Sequence, residues 1–152
     1  MGLALKSHGG NKLNLSRTCG RKGMLTMIRI GLIDDNEYEV DDIRTTIAVG
    51  WKKLPNPSDK VEFKLYQLSD TADFKDELFK ELIDDVAHRS IQSLIVDYKL
   101  DTLHRVIEGK DVVAYMHETV PALPVIILTN APERSKCEDA IDPDKVYDKE
   151  SF

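Results

Sequence analysis

Four short apolar runs in this sequence each end in a side chain that can do chemistry. The pair Asp34-Asp35 follows Ile28-Arg29-Ile30-Gly31-Leu32-Ile33, Asp97 follows Ser93-Leu94-Ile95-Val96, Thr129 follows Val125-Ile126-Ile127-Leu128, and Lys149 comes just after Lys145-Val146-Tyr147. Runs of this length and composition read as β-strands, and neighbouring strands lie about 4.8 Å apart. Strand ends that share one edge of a sheet therefore gather the three carboxylates. Like charges about 4 Å apart repel by about 4 kcal/mol at an effective dielectric of about 20, so such a cluster raises a pKa or binds a cation. Mg2+ suits it, because that ion takes a few carboxylate or carbonyl oxygens and keeps waters that phosphate oxygens can replace. A hydroxyl from Thr129 and an ammonium from Lys149 would stabilise a phosphoryl group at the same edge. One carboxylate as nucleophile, a metal, a cation and a hydroxyl are the parts needed for in-line phosphoryl transfer to Asp97.

The elements that position these residues follow from periodicity. Asn36 can cap a helix over about residues 36–49, with Val40, Ile43 and Ile47 at helical spacing and acids in its first turns, where they suit the helix dipole. Gly50 ends that helix, and Trp51 to Lys60, with Pro55 and Pro57, reads as a loop. Val61 to Leu68 alternates as a strand, with Val61, Phe63 and Leu65 on one side. Phe74, Leu78, Leu82 and Val86 make the stripe of a second helix over residues 72–89. Val112, Val113, Met116 and Val120 make a third, closed by Pro121, and a weak helix starts near Pro132. Five strands thus alternate with four helices. The two central runs, before Asp97 and Thr129, are apolar throughout, as strands covered on both faces require. This pattern predicts an α/β fold with a doubly wound, five-stranded parallel sheet, whose site lies beyond the carboxyl ends of the strands.

Composition narrows the function classes. The 152 residues suit one domain, and 32% of them are charged, so no run approaches the roughly 20 apolar residues that span a bilayer. Cys19 and Cys137 form no CxxC pair, which argues against a disulfide framework or thiolate zinc site and fits a reducing cytoplasm. Residues 1–26 carry five Lys or Arg and no acid, and read as a disordered basic leader, either incidental to the fold or an arm for an acidic partner. The remainder holds 16 basic against 27 acidic residues, a charge of −11 that repels nucleic acid. His8, His88, His104 and His117 share no ligand spacing, and Gly109-Lys110 lacks the other residues of a P-loop.

In chain order, Ile33-Asp34-Asp35-Asn36, Leu94-Ile95-Val96-Asp97, Gly109-Lys110-Asp111-Val112-Val113, Val125-Ile126-Ile127-Leu128-Thr129-Asn130-Ala131 and Tyr147-Asp148-Lys149 resemble the receiver domain of bacterial two-component response regulators over residues 27–152. The resemblance implies a flavodoxin-like strand order 2-1-3-4-5. It implies that Asp97 accepts a phosphoryl group from a sensor histidine kinase or phosphotransfer protein, without turnover of an external substrate. It further implies that Asp35 ligates Mg2+ directly, Asp34 partly through water, and the Lys99 backbone carbonyl as well. Lys149 would pair with the phosphoryl oxygens, and Thr129 would swing toward them to switch a surface for a downstream effector protein.

Several positions depart from that family pattern. Glu150 stands where a proline usually follows the lysine, Val146 stands at the usual switch aromatic, and Tyr147, one residue later, points to the other face. The Asp97 to Gly109 loop is long and lacks its common proline. Only Glu150, Ser151 and Phe152 follow Lys149, so the fifth helix is missing and the bare sheet face is expected to be covered by a second copy in a homodimer, by a partner helix, or by the rest of a longer parent chain. These departures keep open a receiver-like interaction module that works without phosphorylation. An aspartate-based phosphohydrolase is disfavoured, because Asp34-Asp35-Asn36-Glu37 lacks the DxD usual in such enzymes.

Overall fold

The five strand segments form one parallel sheet in the order β2-β1-β3-β4-β5. Its strands are β1 (Met27–Ile33), β2 (Lys60–Leu65), β3 (Ser93–Asp97), β4 (Val125–Thr129) and β5 (Val146–Asp148). Between them run α1 (Glu37–Lys52), α2 (Phe74–Ala87), α3 (Gly109–Thr119) and a single turn, α4 (Pro132–Ser135), followed by a 3-10 turn at Pro143–Lys145. The computed structural model describes residues 27–54, 60–100, 107–136, 139 and 141–152. The expectations for the leader 1–26, for most of the long loop before Gly109, and for Cys19, Cys137, His8 and His104 lie outside the described residues. Strand order and class are those of a flavodoxin-like α/β fold, and among the described residues no helix follows β5.

The sheet is covered unequally. On one face, α2 and α3 bring Phe74, Leu78, Leu82, Val112 and Met116 against Ile33, Leu94 and Val96, all buried. On the other, among the described residues, α1 alone brings Val40 and Ile43 onto Ile30, Leu32, Ile95 and Leu128. Val61, Phe63, Leu65 and Ile126 on that second face are only partly buried, as one helix over five strands dictates. Tyr147 pairs with Leu128 and Val146 with Ile127, so Tyr147 faces the α1 side while Val146 is buried on the other. Tyr147 is 45% exposed and meets Phe152 edge-on at 6.5 Å.

Helix ends account for the differences from the sequence reading. Asn36 caps α1, its side chain accepting from the Tyr38 N–H at 3.1 Å. The helix does not stop at Gly50 but runs on to Lys52 and takes Trp51 out of the expected loop. A side chain at Gly50 would meet nothing, so the only cost there is glycine's helix propensity of about 1 kcal/mol, too small to end a helix. The second helix is shorter than expected at both ends. It closes in a Schellman turn: Arg89 N–H donates to Val86 C=O at 3.1 Å, Ser90 N–H donates to Asp85 C=O at 2.7 Å, and Arg89 takes the left-handed conformation at φ 56°. The second strand ends at Leu65 rather than Leu68, and the fifth begins at Val146 rather than Lys145.

Candidate functional site

Register alone brings the chemical groups to one edge. Ile33 lies opposite Val96, so Asp34 and Asp97, one residue further along each strand, are side by side. Asp97 in turn lies opposite Leu128, and Thr129 opposite Asp148, which carries Lys149 to the same level. This edge is where strand order reverses between β1 and β3, the crevice in which open α/β sheets bind ligands. A cavity of about 620 Å3 opens there, walled by Asp35 and the first turn of α1, by Asp97 and Lys99, by Thr129, and by Lys149.

Asp34 and Asp97 are held in matching ways. One oxygen of each accepts a backbone N–H two residues on: Asn36 to Asp34 Oδ1 at 2.8 Å, and Lys99 to Asp97 Oδ1 at 3.3 Å. The other oxygen of each meets the Lys149 ammonium, Nζ lying 2.9 Å from Asp34 Oδ2 and 3.3 Å from Asp97 Oδ2. A third carboxylate, Glu39 on α1, also accepts from Lys149 Nζ. The lysine side chain is 9% exposed. Thr129 is buried, its Oγ accepting the Ala131 N–H at 3.1 Å.

The turn carrying Lys149 is fixed without a proline. Lys149 N–H donates to Thr129 C=O at 3.1 Å, and Asp148 folds back to accept the Glu150 N–H at 3.0 Å. Gly109 holds the other end of the site. A Cβ there would overlap the Asp97 carbonyl oxygen and come within 2.9 Å of Tyr98 Cα, so only glycine lets the start of α3 lie against the backbone of Asp97.

Burial sets the electrostatics. It pushes the Asp97 carboxyl up from its ordinary 3.8 to about 7; the nearby ammonium of Lys149 opposes that rise and Asp34 adds to it. Asp34 is raised by burial too, against the hydrogen bonds from Lys149 and Asn36. Burial works against the Lys149 ammonium, but hydrogen bonds to Glu39 and Asp34 outweigh it, and its pKa rises. With all three ionised, the carboxylates facing one ammonium leave two negative charges uncompensated. Oxygens of Asp34, Glu39 and Asp97 lie within 4.8 Å of one another, a donor set that fits a hard divalent cation.

Of the residues singled out in the sequence, Asp34, Asp97 and Lys149 are in mutual contact. Asp35, Lys99 and Thr129 line the cavity around them. Asp35 is half-buried and stands outside the trio of close carboxylates, where Glu39 stands instead. Sequence reasoning passes over Glu39, because an acid three residues after an Asn N-cap reads as helix capping or dipole compensation.

No family model, curated protein or solved structure matches this chain. Among the described residues, no helix is long and apolar enough to cross a membrane.

Proposed function

We propose that this chain is a phosphoacceptor receiver domain of a two-component signalling system, with Asp97 as the acceptor. The observation that carries the reading is the shared ammonium: Lys149 Nζ reaches both Asp97 and Asp34, which is 115 residues away in sequence, at the floor of an open cavity. An acidic pocket with one buried cation, a nucleophilic carboxylate and a neighbouring hydroxyl is built to receive an anionic group of high charge.

In the proposed step, Asp97 Oδ2 attacks the phosphorus of a phosphohistidine on a sensor kinase or phosphotransfer protein. The new P–O bond forms as the P–N bond breaks, and the imidazole nitrogen keeps the electron pair. The Lys99 N–H orients the carboxylate through its other oxygen. Lys149 neutralises charge on the transferred group, and the Thr129 hydroxyl turns from the Ala131 N–H to a phosphoryl oxygen. Mg2+ held by Asp34, Asp35, Asp97 and the Lys99 carbonyl, with Glu39 within reach, would supply further charge neutralisation. The added group carries about two negative charges and biases the surface that a downstream protein reads. No external substrate is turned over in this reading, and the chain works in the cytoplasm.

Intact-mass measurement after acetyl phosphate treatment with Mg2+ tests it. The expected result is one phosphoryl adduct on the parent chain and none on Asp97→Asn; equal uptake by both would end the proposal. A second reading, an interaction module that signals without phosphorylation, is favoured by one observation: Lys149 is already engaged by three carboxylates. Mg2+-dependent binding of beryllofluoride counts against that alternative.

A further inference from the structure

Beyond lying within reach of the proposed Mg2+, Glu39 takes no part in the phosphoryl chemistry just described, yet it is bonded to the one ammonium that chemistry needs. It sits in the first turn of α1, half-buried, 110 residues from Lys149 in sequence. Asp34 and Asp97 are both engaged by their own strand-end amides as well as by Lys149. Among the described residues no backbone amide holds the Glu39 carboxylate in this way, so Lys149 is its main tether to the site.

Glu39 also occupies a particular place in the surface. With Lys149 and Asn130 it lines both the acceptor cavity and a second cavity, of about 210 Å3, that runs along α1 toward Leu128 and Phe152. The Glu39 to Lys149 contact thus lies between the acceptor site and the thinly covered sheet face.

We propose that Glu39 is a positioning residue for Lys149: it shares the ammonium with Asp34 and Asp97 in the resting protein and yields it to phosphoryl oxygens once Asp97 is modified. This rests on the reading of Asp97 as acceptor. The physical reason is competition. An ammonium has three N–H donors; Asp34 and Glu39 accept hydrogen bonds from it and Asp97 pairs with it at 3.3 Å, so an arriving phosphoryl group competes with all three for Lys149. Asp34 and Asp97 remain beside it in the sheet; Glu39, on a helix, is the partner that can leave. Its departure loosens the link between the first turn of α1 and the cavity. Modification is thereby reported toward α1 as well as through Thr129.

The test compares the parent chain with Glu39→Gln, which keeps the size and removes the charge. Beryllofluoride is titrated at saturating Mg2+, with Asp97→Asn as control. Removing a like charge at this range is expected to tighten beryllofluoride binding by about tenfold. Amide resonances of residues 37–43 should shift on binding in the parent and barely move in Glu39→Gln, a readout that a merely structural role would leave equal in both. In protein free of divalent ions, the 15N-ammonium signal of Lys149 should be protected from exchange in the parent and less so in the variant. Unchanged or weaker beryllofluoride binding by Glu39→Gln, beside normal binding by the parent, overturns the inference and leaves the acceptor reading standing. A parent chain that binds no beryllofluoride overturns both.

Discussion

Replacing Asp97 by Asn should make the fold more stable while abolishing phosphoryl uptake. Asp97 is 7% exposed, and burial holds its carboxyl near 7 rather than 3.8. Between those values the folded chain binds a proton that the unfolded chain has released. Stability from this group is therefore complete below about pH 4 and is lost as the pH rises to about 7. The interval corresponds to about 4 kcal/mol in the limit, with the attraction of Lys149 already counted in it. Asp34, raised in the same direction, adds to the slope, whereas Lys149 stays charged in both states across this range. Asn removes the charge with little change of shape, so Asp97→Asn should gain up to about 4 kcal/mol over the parent at about pH 8 and nothing at about pH 4. Urea unfolding in EDTA, followed through the single tryptophan, Trp51, measures this directly. Mg2+ should then raise the stability of the parent and leave Asp97→Asn unmoved, since only the parent retains the full donor set. A variant no more stable than the parent at about pH 8, or a parent whose stability climbs through this range, would refute the argument.

Gly109→Ala should cost several kcal/mol or displace the acceptor, because its methyl would overlap the Asp97 carbonyl; chemical denaturation and acetyl phosphate uptake should fall together, by about 3 kcal/mol and about tenfold or more. Arg89→Gly should stabilise the fold by about 1 kcal/mol in thermal or urea unfolding, since glycine adopts the left-handed C-terminal cap of α2 without penalty and Arg89 lies away from the site. If a second copy of the chain covers the thinly covered α1 face, light scattering should report a dimer, and Tyr147→Glu should shift it to monomer with phosphoryl uptake retained. A monomeric parent across the concentration range tested would reject that pairing.

The sequence by itself determined the sheet and the outline of its edge. The runs before Asp97 and Thr129 are apolar at every position but Ser93, and only strands covered on both faces use such runs, so β3 and β4 were legible to the residue at their ends. Once strand ends are known, Asp34, Asp97, Thr129 and Lys149 fall at one edge, because parallel strands all finish on the same side. The Asn36 cap was equally plain, since its side chain acts on an amide two residues away. Gly50 misled for the opposite reason: a glycine with open space around it carries a small local cost that the continuing helix absorbs.

Tertiary structure decided what depends on contacts between distant segments. Of two adjacent acids, the fold buries Asp34, whose side chain turns back to accept the Asn36 N–H, and leaves Asp35 half-exposed in the bend that leads into α1. Lys149 is placed by Asp148 and by the Thr129 carbonyl, so the absent proline, conspicuous in the sequence, does not displace it. Glu39 enters the site only because α1 packs across the sheet from β5. Its partner lies more than a hundred residues away, a separation over which residue type and local spacing carry no information.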